Sequence, residues 1–171
     1  MDRARPLSPR RAVLLGGLVV GILDGLYAVI ALSLRGLRPL SAFQAIAGGI
    51  MGRPAALAGG MRTVLLGLAL HFVIATGVVL VYWLASRRLE ILVRYPIRSG
   101  ILYGALVYLV MYGVVVPLSA IDRPLFTISP SAGPILCHLF LVGLPTALIV
   151  RLAHARSTAS LHPASVRTQS A

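Results

Sequence analysis

The stretch Thr63-Val-Leu-Leu-Gly-Leu-Ala-Leu-His-Phe-Val-Ile-Ala-Thr-Gly-Val-Val-Leu-Val-Tyr-Trp-Leu-Ala-Ser86 decides the fold. It holds no Asp, Glu, Lys or Arg, and its sole ionisable interior group is His71. An α-helix rises about 1.5 Å per residue, and about 20 apolar residues cross the roughly 30 Å of bilayer hydrocarbon. A run of this length and purity therefore reads as a transmembrane helix. Three further runs read the same way: about Ala12 to Leu34, about Ser99 to Ile121, and about Ser131 to Ala153. The expected fold is all-α, a polytopic bundle of four transmembrane helices occupying residues 1–155. The polar Ser/Thr/Ala-rich segment 156–171 reads as a disordered cytoplasmic tail.

Composition agrees. Hydrophobic residues make up 58% of the 171 residues and charged residues 12%, where a soluble domain carries about 25% charged. Lipid is thus the expected solvent and principal partner. The net charge of +12 arises from 16 basic residues, all arginine. These flank the apolar runs instead of lining one helix face, and no nucleic-acid motif accompanies them, so nucleic acid is not an expected partner. Their distribution sets orientation. Eleven of the 16 lie in three segments that four spans place on one side: Arg3, Arg5, Arg10 and Arg11; Arg87, Arg88, Arg94 and Arg98; Arg151, Arg156 and Arg167. The other side holds Arg35, Arg38, Arg53, Arg62 and Arg123. Both termini are expected in the cytoplasm of a bacterial inner membrane. The first run is too long for a signal-peptide core and is interrupted by Asp24, so it reads as a retained anchor.

Residues 42–52, Ala-Phe-Gln-Ala-Ile-Ala-Gly-Gly-Ile-Met-Gly, are apolar but too short to span. They read as an interfacial or re-entrant helix in the first outer loop. Gly48, Gly49, Gly52 and Pro54 separate it from the second span.

Lipid supplies little hydrophobic drive between helices, so small residues that admit close backbone approach mark the contacts. Gly17, Gly21 and Gly25 recur at four-residue spacing in the first span, Gly67 and Ala75 bracket His71, and Gly100 and Gly104 open the third span ahead of Tyr108 and Tyr112. The glycine face of the first helix would serve a homo-oligomer as readily as the internal bundle.

Ionisable groups inside a span cost about 2.5–3.5 kcal/mol each on insertion scales, which makes each a functional candidate. Asp24, His71 and His138 qualify. Counting at about 1.5 Å per residue from the outer end of each span places them about 15, 12 and 10 Å deep, with Tyr112 of the third span in the same layer. Three readings of the layer follow: a satisfied structural cluster in a structural or accessory membrane protein, a proton or small-solute pathway, or haem held by His71 and His138. The carboxylate–histidine pattern of a di-metal site is missing, so no metal is expected, and no cofactor other than that haem. Cys137, the only cysteine, reads as an inert buried thiol. No H-E-x-x-H, G-x-S-x-G or P-loop motif occurs, so the chain is not expected to be an enzyme. Pro117 and Pro145 each remove one backbone donor inside a span and permit a kink.

The stretch Ser99-Gly-Ile-Leu-Tyr-Gly-Ala-Leu-Val-Tyr with Pro117-Leu-Ser, and the run Cys137-His-Leu-Phe-Leu-Val-Gly ending in Arg151, resemble the third and last spans of the YagU-type family of small bacterial inner-membrane proteins. His71-Phe72 is similar as well. The resemblance covers the last three spans and implies an inner-membrane helical bundle in which His71 and His138 matter. It brings no catalytic mechanism, and Asp24 departs from the pattern.

Overall fold

The computed structural model describes residues 8–121 and 132–161, with side chains described as far as residue 155. Four helices are long and apolar enough to cross a membrane: α1 (Pro9–Ser33), α4 (Gly60–Ser86), α6 (Pro96–Leu118) and α7 (Ala132–Ala155). Three short helices connect them: α2 (Ser41–Met51), α3 (Arg53–Ala58) and α5 (Ile91–Arg94). No strand occurs among the described residues. The protein is an all-α, multi-pass membrane bundle.

Three of the four spans begin one helical turn earlier than hydropathy alone suggests, and local chemistry explains it. Ser8 caps α1 by accepting a hydrogen bond from the Arg11 amide at 3.4 Å, with Pro9 at the first helical position. Pro96 likewise opens α6, here without a side-chain cap. Gly60, at φ 57°, turns the chain from α3 into α4. At the far end, helix continues past Ala155 to Leu161; the helical residues 156–161 belong to the segment read as a disordered tail, and residues 162–171 lie outside the described residues.

The spans pack antiparallel through their glycines. A Cβ at Gly17 would collide with Thr76, and one at Gly21 with the Phe72 ring 2.6 Å away. The glycine face of α1 is thus covered by α4 within the same chain. Gly100 and Gly104 lie against α7, where a Cβ on Gly104 would overlap the His138 carbonyl and one on Gly143 would overlap the Gly100 carbonyl. The backbones of α6 and α7 touch along this seam. Gly67 admits the Phe43 carbonyl of α2 in the same way. The segment read as an interfacial or re-entrant helix is therefore a packed element, with Phe43 and Ala47 buried. Gln44 fastens it by reaching the Ala56 and Gly60 carbonyls and Thr63 Oγ1 at 3.2–3.3 Å.

Antiparallel packing gathers the charges at two ends. Arg10, Arg11, Arg87, Arg88, Arg94, Arg98 and Arg151 mark one; Arg35, Arg38, Arg53 and Arg62 mark the other. Between them the exterior is apolar: Leu14, Val73 and Leu102 are 63%, 68% and 71% exposed. Such a belt suits acyl chains and no aqueous phase.

The core lies toward the arginine-rich end, around Val20, Ala75, Val79, Tyr82, Val107, Val142, Ala147 and Val150. Its polar groups are all bonded. Tyr103 Oη donates to the Val78 carbonyl at 2.7 Å and Tyr82 Oη to the Leu92 carbonyl at 3.0 Å. The Ser86 hydroxyl donates to the Trp83 carbonyl at 2.7 Å, which leaves its oxygen to accept from His154 Nε2 at 3.0 Å. Arg87 stacks over Trp83, 5.2 Å from the ring centroid. Among the described residues, no buried side-chain nitrogen or oxygen lacks a partner.

Two π-helical turns interrupt the spans, Met111–Val115 in α6 and His138–Gly143 in α7. Each ends two residues before a proline, Pro117 and Pro145. A proline deprives the carbonyl four residues earlier of its α-helical donor; those carbonyls belong to Gly113 and Leu141, both within the π turns. Widening the turn lets later amides shift by one residue to i→i+5 bonds, and such turns concentrate at functional sites.

Candidate functional site

Toward the other end the helices separate and border a partly open cavity of about 590 Å3. Asp24, His71, Tyr112 and His138 all line it, one from each span. Apart from Ser119, the rest of the wall is apolar and aromatic, including Phe43 and Ile46 of α2 and Met111 and Val115 of the first π turn. The end of α6 closes toward α2 through a hydrogen bond from the Ala120 amide to the Gly49 carbonyl at 2.8 Å.

His71 is the most constrained of the four. Its ring lies edge-on to Phe43 and Phe72, with centroids 5.9 and 5.6 Å away. Nε2 sits 2.8 Å from the Gly21 carbonyl. A carbonyl only accepts, so Nε2 carries a proton and donates. Position 25, one turn along α1, has no side chain to crowd this contact: a Cβ on Gly25 would stand 3.3 Å from Nε2. The spaced glycines of α1 thus make a slot for an imidazole as well as a helix contact. The other nitrogen, Nδ1, faces Asp24 Oδ2 at 3.9 Å, close enough for electrostatic interaction and too far for a hydrogen bond. Both ring nitrogens of His71 are directed at α1.

Asp24 is held from the opposite side by Cys137, whose thiol donates to Oδ1 at 3.2 Å. Its side chain remains 28% exposed, toward the cavity, while that of His71 is 8% exposed. His138 follows Cys137 directly and begins the second π turn. Its Nδ1 donates to the Pro134 carbonyl one turn back, at 2.8 Å, which leaves the lone pair of the neutral ring on Nε2. The Tyr108 and Tyr112 rings meet the His138 ring edge-on at 5.5 and 5.9 Å, and each other at 4.8 Å. A carboxylate oxygen of Asp24, Cys137 Sγ and a ring nitrogen of His138 lie within 4.8 Å of one another.

The residues singled out from sequence therefore face one space but form two groups: Asp24 with His71, and Tyr112 with His138. Cys137 joins them, and sequence reasoning gave it no part. Its adjacency to His138 was the available signal. In a regular α-helix neighbours diverge by about 100°, so spacing alone did not put 137 and 138 on one face. Phe43 was also unmarked, as an apolar-run residue indistinguishable from lipid-facing ones by spacing, whereas Tyr108 was placed on the glycine face of the third span but given no part in the site.

No family model matches this chain, and neither a curated protein nor a solved structure matches it. What stands is the class defined by the fold, a multi-pass integral membrane protein with an interior cavity.

Proposed function

We propose that the protein binds, and carries across a bacterial inner membrane, a small and largely apolar cation. The observation that carries this reading is the cavity: about 590 Å3, within the roughly 300–1,000 Å3 of small-molecule sites. A purely structural polar layer would be packed dry. Here Asp24 presents a partly exposed carboxylate to a largely apolar chamber whose wall includes the aromatic residues Phe43 and Tyr112. The bulk of the solute would rest on the aliphatic wall and its charge on Asp24. The arginine-rich end would face the cytoplasm, in keeping with the bias of basic residues toward that side. The resemblance of the last three spans to the YagU-type family supports an inner-membrane setting.

The test uses purified protein in proteoliposomes with tetraphenylphosphonium as the probe. Binding in detergent, and uptake faster than into empty vesicles, are expected. Ala28→Phe, which fills the chamber from the α1 wall, should abolish both while leaving the protein folded. Wild-type binding no greater than that of Ala28→Phe would refute the reading. A C-terminal reporter fusion checks orientation, and a periplasmic signal would reverse it.

A further inference from the structure

Asp24, Cys137 and His138 bring together the three donor types that zinc-class ions take from proteins: carboxylate oxygen, thiolate sulfur and imidazole nitrogen. We propose that they form a site for a divalent zinc-class cation beside the cavity, sharing the Asp24 carboxylate with the organic solute. The distances fit. Metal bonds of about 2.0–2.3 Å in tetrahedral geometry put donor atoms about 3.5 Å apart. Cys137 Sγ and Asp24 Oδ1 are 3.2 Å apart, and no separation among the three donors exceeds 4.8 Å. Closing the widest gap needs a shift of about 1 Å, within reach of side-chain rotation.

The surroundings fit as well. Metal-bound histidines donate their second N–H to a carbonyl or carboxylate, and His138 Nδ1 already donates to the Pro134 carbonyl. The far oxygen of Asp24 faces His71 Nδ1 at 3.9 Å, beyond hydrogen-bond reach, so His71 leaves it free to ligate. Binding forms an M–S bond and releases the thiol proton to water. The resulting carboxylate and thiolate carry two negative charges that cancel those of a divalent ion, so the loaded site is neutral within the membrane. Three protein ligands leave a fourth position, which opens on the cavity. Without metal, Cys137 bonds to Asp24 and His138 to the Pro134 carbonyl.

The experiment titrates the whole reduced protein in detergent with Co(II), then with Zn(II). Saturable binding with a thiolate-to-cobalt charge-transfer band and visible d–d bands is expected, both displaced by Zn(II). Cys137→Ser should remove the charge-transfer band, and His138→Ala should abolish saturable binding. Failure of wild-type protein to give the band overturns the proposal whatever the variants do, and so does a band that survives Cys137→Ser. Tetraphenylphosphonium binding without Co(II) binding would remove the metal site and leave the solute reading intact. Co(II) binding without it would do the reverse.

Discussion

The two halves of the bundle solve the same problem in opposite ways. Both must place polar side chains in a membrane interior. At the arginine-rich end Tyr82, Tyr103 and Ser86 are each bonded to a backbone carbonyl of the same chain, within a continuous core. At the other end Asp24, His71, Tyr112 and His138 surround open space. The closed half fixes geometry. The open half leaves part of its polar capacity facing the cavity, as with the partly exposed Asp24 carboxylate. Where irregular backbone occurs within the spans, it borders the open half, as expected of membrane helices whose non-helical bonding lines a cavity. The seam of Gly100, Gly104 and Gly143 joins the halves and holds the π turns in register.

This contrast can be broken experimentally, most severely at the seam. Gly104→Val drives a branched side chain into the His138 backbone, which cannot yield as a side-chain tip would. A loss of at least about 3 kcal/mol is expected in reversible detergent unfolding. Gly77→Val, which meets open space, is the control and should stay within about 0.5 kcal/mol of wild type.

One substitution made in each half sharpens the comparison next. Ala147 is fully buried at the closed end, and Ala147→Phe should cost about 1–3 kcal/mol. Ala28→Phe points into the cavity and should cost less than about 0.5 kcal/mol. Equal losses by thermal melt would mean that the open half is packed as tightly as the closed one. Deleting one buried hydroxyl is milder: Tyr103→Phe removes the bond to Val78 and should cost about 0.6 kcal/mol, the mean for hydrogen bonds between membrane helices. The smallest change is expected from Gly25→Ala. Its helix gain of about 0.8–1.0 kcal/mol nearly offsets the weakened bond from His71 to Gly21. The melt should barely move, while the His71 ring 15N shifts should report the displaced donor.

The fold was legible because the bilayer imposes one length scale, and runs such as Thr63–Ser86 meet it without ambiguity. The helix ends were not, since Ser8, Pro9, Gly60 and Pro96 act through caps and turns that hydropathy ignores. The depth of Asp24, His71, Tyr112 and His138 followed from helical rise alone. Their grouping did not. It depends on two π turns, on the naked backbone at Gly25, and on Phe43 arriving from a helix too short to register as a span. Pro117 and Pro145 were visible as places where a hydrogen bond is lost. How the backbone would redistribute that loss required the contact between α6 and α7. The part taken by Cys137 was hidden for the same reason.

Trp83 is the sole tryptophan. It lies twelve residues along α4 from His71, about 18 Å of helix, and is stacked under Arg87 at the closed end. The chain thus contains its own optical reference. Indole emission will follow the unfolding of the packed half and stay quiet while the cavity fills, whereas tyrosine absorbance, with Tyr27 and Tyr112 on the cavity wall, senses both. A titration followed at the two wavelengths separates occupancy from melting without any added label.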